Sequence, residues 1–98
     1  MAKYEVKTMT QFRRDLKLAK KRGLQLPDLF DVVEKLSNDE PLPEQNRDHA
    51  LHGDYEGYCE CHISPDWLLV YVKDTEICFL TLYRTGSHSD IFGKGKKR

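Results

Sequence analysis

The chain has 98 residues, 39% hydrophobic and 33% charged, a length and balance that support one compact domain with a modest core and disfavour wholesale disorder. Its longest apolar run, Trp67 to Val72, is far shorter than the roughly 20 residues a membrane helix needs, so no span is expected. Sixteen basic and sixteen acidic side chains cancel, but residues 1–22 hold eight basic against two acidic, residues 28–60 ten acidic against two basic, and residues 94–98 four basic alone. Such segregation can form a basic pole that grips phosphates, and it suits equally well a solvated helix face and a disordered tail.

Lys3 to Thr8 alternates Tyr4 and Val6 with charged neighbours, the pattern of a short half-buried strand. Thr8 with Gln11 has the form of a capping box, and Phe12, Leu16 and Ala19 recur at helical spacing until Gly23, a C-terminal stop. Arg13, Arg14, Lys17, Lys20 and Lys21 surround that stripe. Pro27 can open a second helix whose stripe is Leu29, Val32, Val33 and Leu36, with Asp28 and Asp31 near the positive end of its dipole. Ser37 to Pro43 ends it, and the residues through Gly53 lack a period and read as an ordered loop. Gly57 to Ile63, Trp67 to Lys73 and Glu76 to Arg84 then read as three strands. Ser64-Pro65-Asp66 and Asp74-Thr75 turn them into an antiparallel meander. Period two puts Tyr58, Glu60 and His62 on one face and Cys59, Cys61 and Ile63 on the other, which is the face expected beneath the helices. Asp90-Ile91-Phe92 forms one helical turn or a last short strand, and residues 94–98 a disordered basic tail.

Chemistry concentrates where the pattern is least regular. His49, His52, His62 and His88 lie in or beside those segments, with Asp48, Asp66 and Arg84 adjacent in sequence. Imidazole accepts or donates a proton near neutrality, so several in one cleft with a carboxylate and a guanidinium suit acid and base catalysis on a phosphodiester. On RNA the nucleophile can be the neighbouring 2′-hydroxyl, and no metal is needed. Each residue also has a plainer use. His52 suits an ordinary surface position, Asp66 a turn, Trp67 the core or a rim that stacks a base, Arg84 a surface ion pair, and Phe92 a packing plug. A zinc site over His49, His52, Cys59, Cys61 and His62 is disfavoured, because the cysteines are spaced C-x-C and aim away from His62. The expectation is no metal and no cofactor. An odd count of cysteines and an N-terminus unlike a secretory signal point to free thiols in the cytoplasm.

At R-D-H-A-L-H-G (47–53), Gly57-Tyr58, C-H-I-S-P-D-W-L-L-V-Y (61–71) and Y-R-T-G-S-H-S-D-I-F-G (83–93) the sequence resembles the YafQ branch of the RelE/ParE toxin superfamily. These are bacterial type II toxins that cut messenger RNA on the ribosome. The resemblance covers nearly the whole chain and implies an α+β fold, with two N-terminal helices on one face of an antiparallel sheet, in a single domain over residues 1–93. It implies catalytic positions at His49, His62, Asp66 and His88, with Arg84 facing phosphate and Phe92 helping to hold substrate, to which the residue reading adds Trp67 as a base-stacking candidate. His88 is then the favoured general acid, His49 or Asp66 the base, and His62 an orienting group. Arg13, Arg14, Lys17, Lys20 and Lys21 would hold ribosomal RNA, and a small antitoxin would be the protein partner. The competing readings are a ParE-like block of a protein target such as gyrase, which does not need the histidine cluster, and an RNA-binding module without chemistry, which predicts binding without cleavage.

Overall fold

The computed structural model describes residues 2–93. Five strands form one sheet in the order β1-β5-β4-β3-β2: β1 Glu5–Thr8, β2 His49–Ala50, β3 Cys59–Ser64, β4 Trp67–Asp74 and β5 Phe79–Gly86. The last three form the expected meander, β2 adds to it antiparallel, and β1 lies parallel to β5. The second hairpin opens later than the sequence implies. Asp74 Oδ1 accepts the Glu76 and Ile77 N–H groups, and this side-chain turn delays β5 to Phe79.

Helices α1 (Thr10–Lys21) and α2 (Leu26–Ser37) follow β1, and both cover one sheet face. Phe12 and Ala19 of α1 and Leu29, Val32 and Leu36 of α2 are buried there with Cys61, Leu69, Tyr71, Leu80 and Leu82. Cys59 and Ile63 pack on the same cluster, as the period-two reading requires. The N-terminal capping box of α1 does not form. Thr8 stays in β1 opposite Leu82, Met9 donates its N–H to the Leu82 carbonyl, and Gln11 turns to Asp15. Arg13 closes the gap, its guanidinium donating to the Thr8 carbonyl and hydroxyl and to the Thr10 hydroxyl.

On the other face, Leu68 and Val70 pack with Ile91 and Phe92 of α3 (His88–Phe92), joined by Leu51, Tyr55, Tyr58 and Tyr83. Register slips by one residue between β4 and β5, so that Val70 faces Arg84 while Tyr71 faces Leu82. Beside this bulge Leu82 packs on the helix-side cluster and Tyr83 on the second face. The segment expected as an ordered loop holds single 3-10 turns at Glu44–Asn46 and Gly53–Tyr55 with β2 between them. The basic tail at 94–98 lies outside the described residues.

Candidate active site

Glu60 lies on the second face, only 5% exposed, with two imidazoles beside its carboxylate. Its Oε2 is 3.4 Å from His62 Nε2 and 3.6 Å from His49 Nε2. Register explains both contacts: His62 follows Glu60 by two residues on β3, and His49 of β2 is its cross-strand partner. The loop bearing His49 is tied down twice, by the Asn46 side-chain amide donating to the His62 carbonyl and by the Tyr71 hydroxyl donating to Asp48. Burial and that carboxylate push the Tyr71 hydroxyl far above its usual range, so it stays a proton donor. His49 Nδ1 is 2.6 Å from the Arg47 carbonyl. A carbonyl only accepts, so Nδ1 carries a proton, and Nε2 faces the Glu60 carboxylate.

Asp66 occupies the tight turn between β3 and β4, facing the first residue of α3. Its Oδ1 accepts from the His88 ring at 2.7 Å and from the His88 backbone N–H at 3.1 Å. The ring bond, then the backbone bond, hold the Asp66 carboxyl below its ordinary range. With Nδ1 committed, the other His88 nitrogen is free for proton transfer. The His88 ring stands edge-on to that of His62, centroids 5.7 Å apart, and 6.5 Å from the buried Phe92, which packs against Tyr55. A cavity of about 590 Å³ is lined by His49, His52, Tyr55, Glu60, His88 and Phe92. His62 opens onto an adjoining groove that it shares with Asn46, Arg47 and Ser64.

The structure thus brings His49, His62, Asp66 and His88 together, with Phe92 at the wall. Two expected site residues lie elsewhere. Trp67 is 4% exposed in the helix-side core, its indole N–H donating to the Thr85 hydroxyl at 2.9 Å, so it cannot stack on a base. Arg84 turns to α1, its Nε 2.7 Å from Asp15 Oδ2 and its Nη2 reaching the Asp90 carbonyl. Because β1 stops opposite Leu82, the edge of β5 beyond is open, and Asp15 covers it by accepting the Thr85 N–H as well. Arg84 accordingly lines a cavity with Asp15, Arg22 and Asp90 rather than the histidine cavity. Arg13 is engaged by Thr8 and Thr10, whereas Arg14, Lys17, Lys20 and Lys21 are exposed and make no ion pair among the described residues. Glu60 was overlooked as a site residue, although its place beside His62 was legible in the strand alternation. His52 is exposed, as a surface position requires, and also lines the cavity.

Residues 4–93 match the family described as bacterial toxin of type II toxin-antitoxin system, YafQ. The chain belongs to the YafQ family. It is 35% identical over 94 residues to the mRNA interferase toxin YafQ of Escherichia coli K12, covering 95% of this chain and all of that protein. Two crystal structures extend the likeness to the fold. The toxin chain of the E. coli DinJ-YafQ toxin-antitoxin complex is similar at a TM-score of 0.84 with 35% identity, over 93% of this chain and 99% of that one. A metal-bound toxin from Helicobacter pylori is similar at 0.86 with 39% identity, over 94% of this chain and 100% of that one. Among the described residues of this YafQ-family chain, Glu60, His62 and His88 offer three ligand atoms within 4.8 Å of one another.

Proposed function

We propose that this chain is the toxin of a type II toxin–antitoxin pair, an endoribonuclease that cuts messenger RNA on the ribosome by metal-independent acid and base catalysis. Residues 1–93 act as one toxin domain in the cytoplasm. The observation that carries this is the Asp66–His88 pair beside Glu60, with His49 across the same cavity. His49 Nε2 takes the proton of the 2′-hydroxyl, and the oxygen attacks the adjacent phosphorus. His88, its Nδ1 held by Asp66, protonates the departing 5′ oxygen, leaving a 2′,3′-cyclic phosphate. Asp66 orients His88 rather than acting as the base, and Glu60 with His62 hold the rings in register. Arg84 is occupied by Asp15, so the exposed Arg47, which shares a groove with His62, supplies phosphate contact. Arg14, Lys17, Lys20 and Lys21 hold ribosomal RNA through phosphates. By analogy with the E. coli complex, a small antitoxin covers the basic helix or the cavity.

Mapping the 5′ ends of cellular messages after brief induction tests the reading, together with cleavage by purified protein on programmed ribosomes. Cuts inside translated messages, ending in cyclic phosphate, are expected. Intact messages with arrested replication would favour the gyrase-blocking reading, and ribosome binding without cuts the RNA-binding module.

A second reading concerns the same cavity and is favoured by the spacing of Glu60, His62 and His88. Two imidazoles and a carboxylate suit zinc, copper or nickel, and the H. pylori relative is named as metal-bound. A bound ion would take the His88 nitrogen that has to carry the proton for the departing oxygen, so it would inhibit. Titration calorimetry with Zn(II) on the parent and on His62→Ala checks binding directly, and one-to-one binding lost in the variant is the expected result.

A further inference from the structure

Helix α3 has five residues, too few to persist on backbone hydrogen bonds alone, yet it carries His88. Its first turn is held from outside by α1. Arg22, the residue that ends α1, donates from Nη1 to Asp90 Oδ2 at 2.6 Å and from Nη2 to Asp90 Oδ1 at 3.2 Å, a two-pronged contact. The same carboxylate accepts the Ser87 N–H at 2.9 Å, and the Ser87 hydroxyl accepts the Asp90 N–H in return. Arg84 Nη2 reaches the Asp90 carbonyl. Gly86 makes room for the arrangement: at φ +154 a Cβ there would meet Asp90 Cβ and Oδ2 at 3.0 Å. The carboxylate is therefore packed into one place, and His88 lies two residues before it.

We propose that Arg22 and Asp90 are positioning residues of the nuclease, a latch that fixes the first turn of α3 and thereby the His88 ring against Asp66. The proposal rests on the nuclease reading for its effect on rate, but its structural half does not. Arg22 belongs to the helix whose neighbouring Lys20 and Lys21 point to solvent, so the latch also joins the RNA-holding helix rigidly to the catalytic one. The bond from Arg22 holds the Asp90 carboxyl down to about 2.

Asp90→Asn tests this, because the amide oxygen can still accept the Ser87 N–H while the charge that holds Arg22 is gone. Arg22→Lys is the second variant, on the surface and without risk to folding, keeping the charge but losing the fork. On ribosomes, Asp90→Asn should lower kcat about tenfold to a hundredfold with KM little changed. Arg22→Lys should fall between it and the parent. The double variant should be no slower than Asp90→Asn, since both break one contact. Imidazole NMR of the free protein supplies the readout that a purely structural role would not move. The His88 signals should shift or broaden in both variants well below the melting temperature, while those of His52 stay in place. A lowered melting temperature with unchanged His88 signals would overturn the proposal, as would parental kcat in Asp90→Asn. If the parent cuts no RNA, the NMR result alone decides the latch, and the nuclease reading fails separately.

Discussion

What a histidine can do in proton transfer depends on what its ring nitrogens already bond, and His88 and His49 differ in their partners. His88 gives Nδ1 to a carboxylate and His49 gives Nδ1 to a carbonyl. On the proposed mechanism His88, paired with Asp66, is the acid, and His49, whose Nε2 lies beside Glu60, is the base. His88→Gln should therefore lower single-turnover cleavage by about 10² to 10⁴, with ribosome affinity and melting temperature unchanged because the residue is exposed. Cleavage at the parental rate would pass the acid's role to another member of the cluster. Trp67 gives the opposite expectation. Trp67→Phe removes the donor to the Thr85 hydroxyl, which itself donates to the Leu68 carbonyl. Urea denaturation should show a loss of about 1–2 kcal/mol while cleavage persists; a stable variant that has lost cleavage would return Trp67 to the substrate.

Among the elements, α1 divides its cations between two tasks. Arg13 replaces the missing cap and Arg22 holds α3, so neither is a free phosphate contact. Reversing Arg14, Lys17 and Lys21 to glutamate should weaken ribosome binding and flatten its salt dependence without unfolding the protein. Binding assays across a salt series check this, and unchanged affinity would make the helix a solvated face only. For α3 the latch sets an acid limit. The Asp90 carboxyl is depressed from 3.8 to about 2 in the folded protein, so its contribution is complete above about pH 4 and is lost as pH falls through about 2. Asp90→Asn should consequently narrow the stability gap to the parent as unfolding is measured from pH 5 down to pH 2.

At the scale of the molecule, the sheet separates two apolar layers, and the site uses the layer away from α1 and α2. On the proposed function, that division would let one helix hold the ribosome while the opposite face handles the message. One fastening of α1 to the sheet is Asp15, buried at the open edge of β5 and bound by Arg84, Gln11 and the Thr85 N–H. Arg84→Ala should cost about 3–5 kcal/mol by leaving a buried carboxylate without its cation. Denaturant midpoints measure this. A variant of parental stability that fails only in cleavage would restore Arg84 to the phosphate.

Element types and the faces of the central strands were legible in the sequence, because period two and period 3.6 are properties of local spacing. Cys59, Cys61 and Ile63 lie under the helices and Glu60 with His62 lie opposite, as alternation requires. The motifs that resemble the YafQ branch carried the family and the histidine set. Other features depended on partners distant in the chain. Whether Thr8 caps a helix or ends a strand was decided by Leu82, and the start of β5 by the Asp74 turn. Arg84 and Trp67 are matched to Asp15 and Thr85 across 69 and 18 residues, and Arg22 to Asp90 across 68. A side chain's local spacing restricts the face it can occupy, but its partner is set by which segments the folded sheet brings alongside, and only the tertiary structure decides that.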